Sequence, residues 1–72
     1  MFRDEREERA KERVEEGERV SFCNETDWIE IWKRHSEFVI AWNGKAIKIF
    51  KTWGRAKKFL FDKIIFNEME EE

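Results

Sequence analysis

Asn43-Gly44 stands between two runs rich in β-branched and aromatic residues, 37 to 42 and 45 to 51. A two-residue type I′ turn needs positive φ at both central positions, and Asn-Gly accepts this at the least cost, so the spacing predicts a tight antiparallel hairpin. Upstream, residues 28 to 34 alternate Ile29 and Ile31 with Trp28, Glu30, Trp32 and Arg34, the period-2 pattern of a strand, and His35-Ser36 joins this run to the hairpin. Three antiparallel strands are expected. Val20 to Cys23 reads either as a fourth, edge strand or as a linker.

A regular hairpin pairs Trp42 with Lys45, Ile40 with Ile47 and Phe38 with Ile49. If the His35 turn has two or four residues, Ile29 and Ile31 join Phe38, Ile40 and Ile47 on one face, which becomes the core; a three-residue turn exchanges the faces of the first strand. In the first case Trp28, Trp32, Arg34, Val39, Lys48 and Phe50 share the opposite face.

Helices flank this sheet. Fourteen of the seventeen residues from 3 to 19 are charged, and Glu5 with Arg9 and Glu7 with Lys11 are acid-first i, i+4 pairs contributing about 0.2 to 0.5 kcal/mol each. Phe2, Ala10 and Val14 supply only a thin apolar stripe, so part of this helix frays, and Gly17 is placed to end it. After Thr52, a suitable N-cap, a second helix runs to about Asn67, with Trp53, Ala56, Phe59 or Leu60, and Ile64 on its apolar face. Phe61, Ile65 and Phe66 fall outside that stripe and call for cover from the first helix or from a second subunit. The expected class is α+β: a charged helix over 1–19, a β-β-β-α core over 20–67 with the C-terminal helix on one sheet face, and an acidic tail over 68–72.

At 72 residues the chain has apolar surface for one core only. One histidine and one cysteine exclude a four-ligand zinc site and an internal disulfide. His35-Ser36 are adjacent in a turn, where a nucleophile and its base are not expected. No catalytic residues, metal or cofactor are expected, and the protein is read as a binding module and not an enzyme. The lone Cys23 and the charged N-terminus point to a reducing cytoplasm, a host's if the chain is viral, and no run is apolar enough for a membrane span.

Charge separates along the chain although its total is only −2. Residues 1–27 carry six basic and ten acidic side chains, residues 45–63 seven basic and one acidic, and residues 64–72 four acidic. The basic stretch is interleaved with Phe50, Trp53, Phe59 and Phe61. Clustered cations neutralise phosphates, and aromatic faces stack on unpaired bases. A sheet face bearing Trp32 and Phe50 among Lys48 and Arg34 is the arrangement with which single-stranded RNA is read. Lys51, Arg55, Lys57 and Lys58 then hold phosphates, the last two near the start of the second helix.

The order helix, three strands, helix, with Phe38 opening the second strand, Asn43-Gly44 at the hairpin and Gly54-Arg55-Ala56-Lys57-Lys58 opening the last helix, resembles the double-stranded-RNA-binding domain over residues 28 to 67. That resemblance implies His35 as a minor-groove contact and Lys57-Lys58 as phosphate contacts. The strand triplet ending in Phe50-Lys51-Thr52 also resembles the arm-type DNA-binding modules of phage integrases. Nucleic acid, RNA ahead of DNA, is the expected partner of a monomer or homodimer. Small acidic chains of this kind also resemble bacteriophage host-takeover proteins, which implies the alternative of a host or cellular protein bound through the acidic helix and the aromatic sheet face.

Overall fold

Asn43 and Gly44 adopt φ of 51° and 86°, as the type I′ turn requires. The Asn43 side chain fastens the turn to the next strand: its Oδ1 accepts from the Trp28 N–H at 2.8 Å and its Nδ2 donates to Asp27 Oδ1 at 2.9 Å. Around this hairpin the computed structural model describes residues 5 to 72. The elements are α1 (Glu5–Glu15), β1 (Val20–Cys23), β2 (Trp28–Arg34), β3 (Glu37–Trp42), β4 (Lys45–Phe50), α2 (Trp53–Phe66) and β5 (Glu70–Glu71). All strand pairs are antiparallel, and the sheet order is β4-β3-β2-β1-β5.

The fold is therefore α+β, with both helices on one sheet face. His35-Ser36 is a two-residue loop, since Arg34 pairs with Glu37, and it sets Ile31 beside Ile40 and Ile29 beside Trp42. Val20 lies beside Ile31 and Phe22 beside Ile29, so Val20–Cys23 is a fourth strand whose two apolar residues extend the same buried row. Ala10 and Val14 from α1 and Ala56, Leu60, Phe61 and Ile64 from α2 close the core above it. Phe2 lies outside the described residues. The cover that Phe61 needs comes from within the chain: it meets Phe22 edge-on at 5.5 Å, and the Arg6 guanidinium of α1 stands 5.8 Å from its ring. Ile65 and Phe66 stay outside, Phe66 at 85% exposure.

Helix ends follow the local chemistry. Gly17, at φ 93°, closes α1 with a Schellman pair, Gly17 N–H to Val14 C=O and Glu18 N–H to Arg13 C=O, so α1 stops at Glu15 and not near residue 19. The same pair ends α2, with Glu68 N–H to Ile65 C=O and Met69 N–H to Ile64 C=O, although Glu68 at φ 51° lacks glycine's freedom. That turn buries Met69 in the core and aligns Glu70 and Glu71 with Cys23 and Phe22. Residues 68 to 72 are thus not a free acidic tail: Met69 anchors them, and Glu71 accepts from Arg9 at 3.0 Å. Asn24 completes the closure by donating to the Asn67 carbonyl at 2.9 Å.

One register differs from expectation. β3 and β4 begin with Trp42 opposite Lys45 and Ala41 opposite Ala46, then slip by a residue, so that Ile40 faces Lys48, Val39 faces Ile49 and Phe38 faces Phe50. Ile47 is the extra residue of a β-bulge, and the pairs Ile40 with Ile47 and Phe38 with Ile49 do not form. The bulge turns Phe50 under the helix layer, where it meets Phe59 at 5.6 Å, and leaves Ile49 on the open face at 49% exposure. The larger apolar side chain is covered, and on an edge strand the lost pairing costs little. Ile49→Lys is accordingly expected to change unfolding free energy in urea by no more than about 0.5 kcal/mol. In the unbulged register it would place a charge in the core, so a loss of several kcal/mol would refute the bulge.

Candidate nucleic-acid interface

Five of the seven cations of residues 45 to 63 stand on β4, in the bend that follows it and on the face of α2 turned to β4. Lys45 and Lys48 pair with Trp42 and Ile40, which places both on the helix side of edge strand β4. Lys51 follows in the bend before α2. Thr52 caps α2, its Oγ1 accepting from the Arg55 N–H at 3.4 Å, and this fixes the first turn on which Arg55 stands. Arg55, Lys58, Phe59 and Asp62 are spaced i, i+3, i+4, i+7 and share one helix face. Contact of Phe59 with Phe50 turns that face towards β4. Between the two elements lies an open cleft of about 310 Å³ lined by Phe50, Arg55, Lys58, Phe59 and Asp62.

Four cations elsewhere are matched by acids, whereas Lys33 and Lys63 stand over the rings of Phe38 and Phe59 and Lys11 and Arg34 have no ion pair among the described residues. Arg9 contacts Glu5 and Glu71, Arg13 contacts Glu18, Arg19 contacts Glu30, and Lys57 reaches Glu7 at 3.7 Å. Lys45, Lys48, Lys51, Arg55 and Lys58 form no ion pair among the described residues. All five are exposed. Gathering like charges without counter-charges works against the folded state and leaves a positive potential directed at solvent.

The expected binding residues divide accordingly. Lys48, Phe50, Lys51, Arg55 and Lys58 are brought together at the β4–α2 edge. Arg34 and His35 are exposed at the β2–β3 turn, at the end of the sheet where β4 finishes, with His35 at φ 57°. Lys57 reaches Glu7 of α1 while Lys58 lines the β4 side, so these adjacent lysines are directed to different elements. Trp32 is on the opposite face from Phe50, and the Arg19 guanidinium lies 4.1 Å from its ring, so the shared Trp32–Phe50 stacking platform does not exist. The bulge at Ile47 is the cause of this correction. Lys45, Phe59 and Asp62 are the residues missed; for the last two, their spacing from Arg55 on a helix was the available signal.

On the open face, Val39 and Ala41 are buried between neighbouring strands, while Trp28 is 42% exposed and covers the hairpin near Gly44. Its Nε1 donates to Glu30 at 3.3 Å. Among the described residues, no group of three or more His, Cys, Asp or Glu is arranged to hold a metal ion, and no helix is long and apolar enough to cross a membrane. Comparison with protein-family models, curated proteins and solved structures finds no match to this chain.

Proposed function

We propose that this protein is a nucleic-acid-binding module that grips the phosphate backbone along the β4–α2 edge, with RNA ahead of DNA. The observation that carries this reading is the row of five exposed cations, Lys45, Lys48, Lys51, Arg55 and Lys58, with no acidic partner among the described residues. A polyanion supplies the missing counter-charge, and the counterions it releases supply the driving force. Single-stranded RNA is favoured because the cations are accompanied by aromatic rings in a cleft and not by a helix shaped to a DNA groove. His35, in the turn at the same end of the sheet as Lys51, would extend the path, whereas Arg34 stands on the Trp32 face, away from the cleft.

Fluorescence anisotropy with a mixed-sequence single-stranded RNA tests the reading. Four to five phosphate contacts give a slope of log affinity on log salt of about −3, which is a loss of about 60-fold between 50 and 200 mM salt. Absence of binding at low salt, or binding indifferent to salt, would overturn it. The same strand as DNA is expected to bind more weakly.

A second reading rests on a separate observation, the open sheet face with Trp28 and Ile49 exposed and no helix over it among the described residues. Tryptophan in such a position is a frequent anchor for a protein partner. A salt-tolerant protein complex lost on Trp28→Ser and kept on Lys58→Glu would favour it.

A further inference from the structure

Resting on the proposed nucleic-acid reading, we infer that the β4–α2 cleft is a seat for one extruded base of a single strand, and that Asp62 selects guanine there. The lining combines the three groups such a seat needs. Phe50 and Phe59, with centroids 5.6 Å apart and rings inclined at 47°, form an apolar floor. Arg55 and Lys58, one turn apart on α2, also line it and would meet the phosphates that flank a seated base. Asp62 is the one acidic residue between 45 and 63, and it lines the cleft without an ion pair among the described residues. A volume of about 310 Å³ is at the small end of ligand sites, suited to a single ring system and closed to a stacked duplex.

A carboxylate beside phosphate-binding cations repels the backbone, and a base that offers hydrogen-bond donors is the part of a nucleotide that it attracts. Guanine alone among the four bases presents two adjacent donors, N1–H and N2–H₂, to a carboxylate's two oxygens. Adenine and cytosine set one amino group beside a ring acceptor, and uracil sets its single N3–H between two carbonyls that the carboxylate repels. The cleft therefore ranks guanine first and uracil last. The flanking phosphates hold the strand, and the cleft reads the base.

The test compares an eight-nucleotide uridine strand with the same strand carrying one central guanosine, and with a duplex of equal length, by anisotropy at low salt. Wild type is expected to prefer the guanosine strand about tenfold, in line with a bidentate base contact. Duplex binding should be weaker than either. Asp62→Asn removes one acceptor and one negative charge from an exposed helix position. It should strengthen binding to the uridine strand while bringing the guanosine preference close to unity, opposite movements that loss of folding would not produce. Amide shifts on titrating guanosine monophosphate should centre on Phe50, Arg55, Phe59 and Asp62. If all strands bind with the expected salt slope but without base preference, or Asp62→Asn leaves the preference intact, the seat is refuted and the backbone reading stands. If no strand binds, both fall, and the cleft is left to a protein side chain.

Discussion

Phe22→Ala is expected to unfold most of the protein. Phe22 is fully buried in β1, pairs across the sheet with Ile29 and Glu71, and meets Phe61 of α2 edge-on at 5.5 Å. Arg6 of α1 then stands over Phe61, so one ring links the sheet to both helices. Removing a fully buried phenylalanine costs about 3 to 5 kcal/mol, through lost burial and the cavity left behind. A domain of 72 residues has about 4 to 11 kcal/mol in total, and small domains fall low in that range. Urea unfolding followed by circular dichroism should show the native baseline shortened or lost, whereas Phe22→Leu should cost less than about 1.5 kcal/mol. A loss below 1 kcal/mol for the alanine variant would mean that β1 is not part of the core.

Reversing Lys48, Lys51 and Lys58 together to glutamate is expected to weaken nucleic-acid binding by about 100-fold or more at low salt, because each change replaces a phosphate attraction by a repulsion. The three side chains are exposed and have no acidic partner among the described residues, so the melting temperature should hold or rise slightly as like-charge repulsion is relieved. The single change Lys57→Glu is the informative control. It breaks the contact with Glu7, and it should disturb binding less than Lys58→Glu although the two residues are adjacent. Equal effects at 57 and 58 would show that the bound strand passes over α2 and not between α2 and β4. Unchanged binding by the triple variant would remove the β4–α2 edge as the site.

Much of the fold was legible because local chemistry and the tertiary answer agree. Asn43-Gly44, Thr52 and Gly17 each mark a turn or helix end whose backbone geometry demands that residue type, and Ile29, Ile31, Phe38 and Ile40 have the alternation of a half-buried sheet. Ile47 marks where that reasoning stops. Residues 45 to 51 alternate equally well in either register, and the choice is made by Phe59, which rewards burial of Phe50 more than of Ile49. β5 was not legible either, since two glutamates have little strand propensity; the turn at Glu68 and the burial of Met69 set them against β1. Val20–Cys23 could be assigned only once Ile31 and Ile29 were seen beside it.

The candidate site shows the same division. Clustering of lysines after Asn43 is a property of composition and was visible at once. Which lysines remain available depends on α1, fifty residues earlier in the chain, because Glu7 occupies Lys57. The cleft itself arises from two phenylalanines on different elements, a meeting that no spacing rule encodes.

Strand order has a consequence for how a polyanion arrives. The lysine-bearing strand β4 and the glutamate-bearing strand β5 are the two outermost strands of one five-stranded sheet, and the molecule extends about 33 Å along its longest axis. Four strand spacings of about 4.8 Å set these two edges about 19 Å apart, so a net charge of −2 coexists with opposite charges on the two outer strands of the sheet. On the proposed nucleic-acid reading, that polarity would orient an approaching polyanion before contact, with β4 towards it and β5 away.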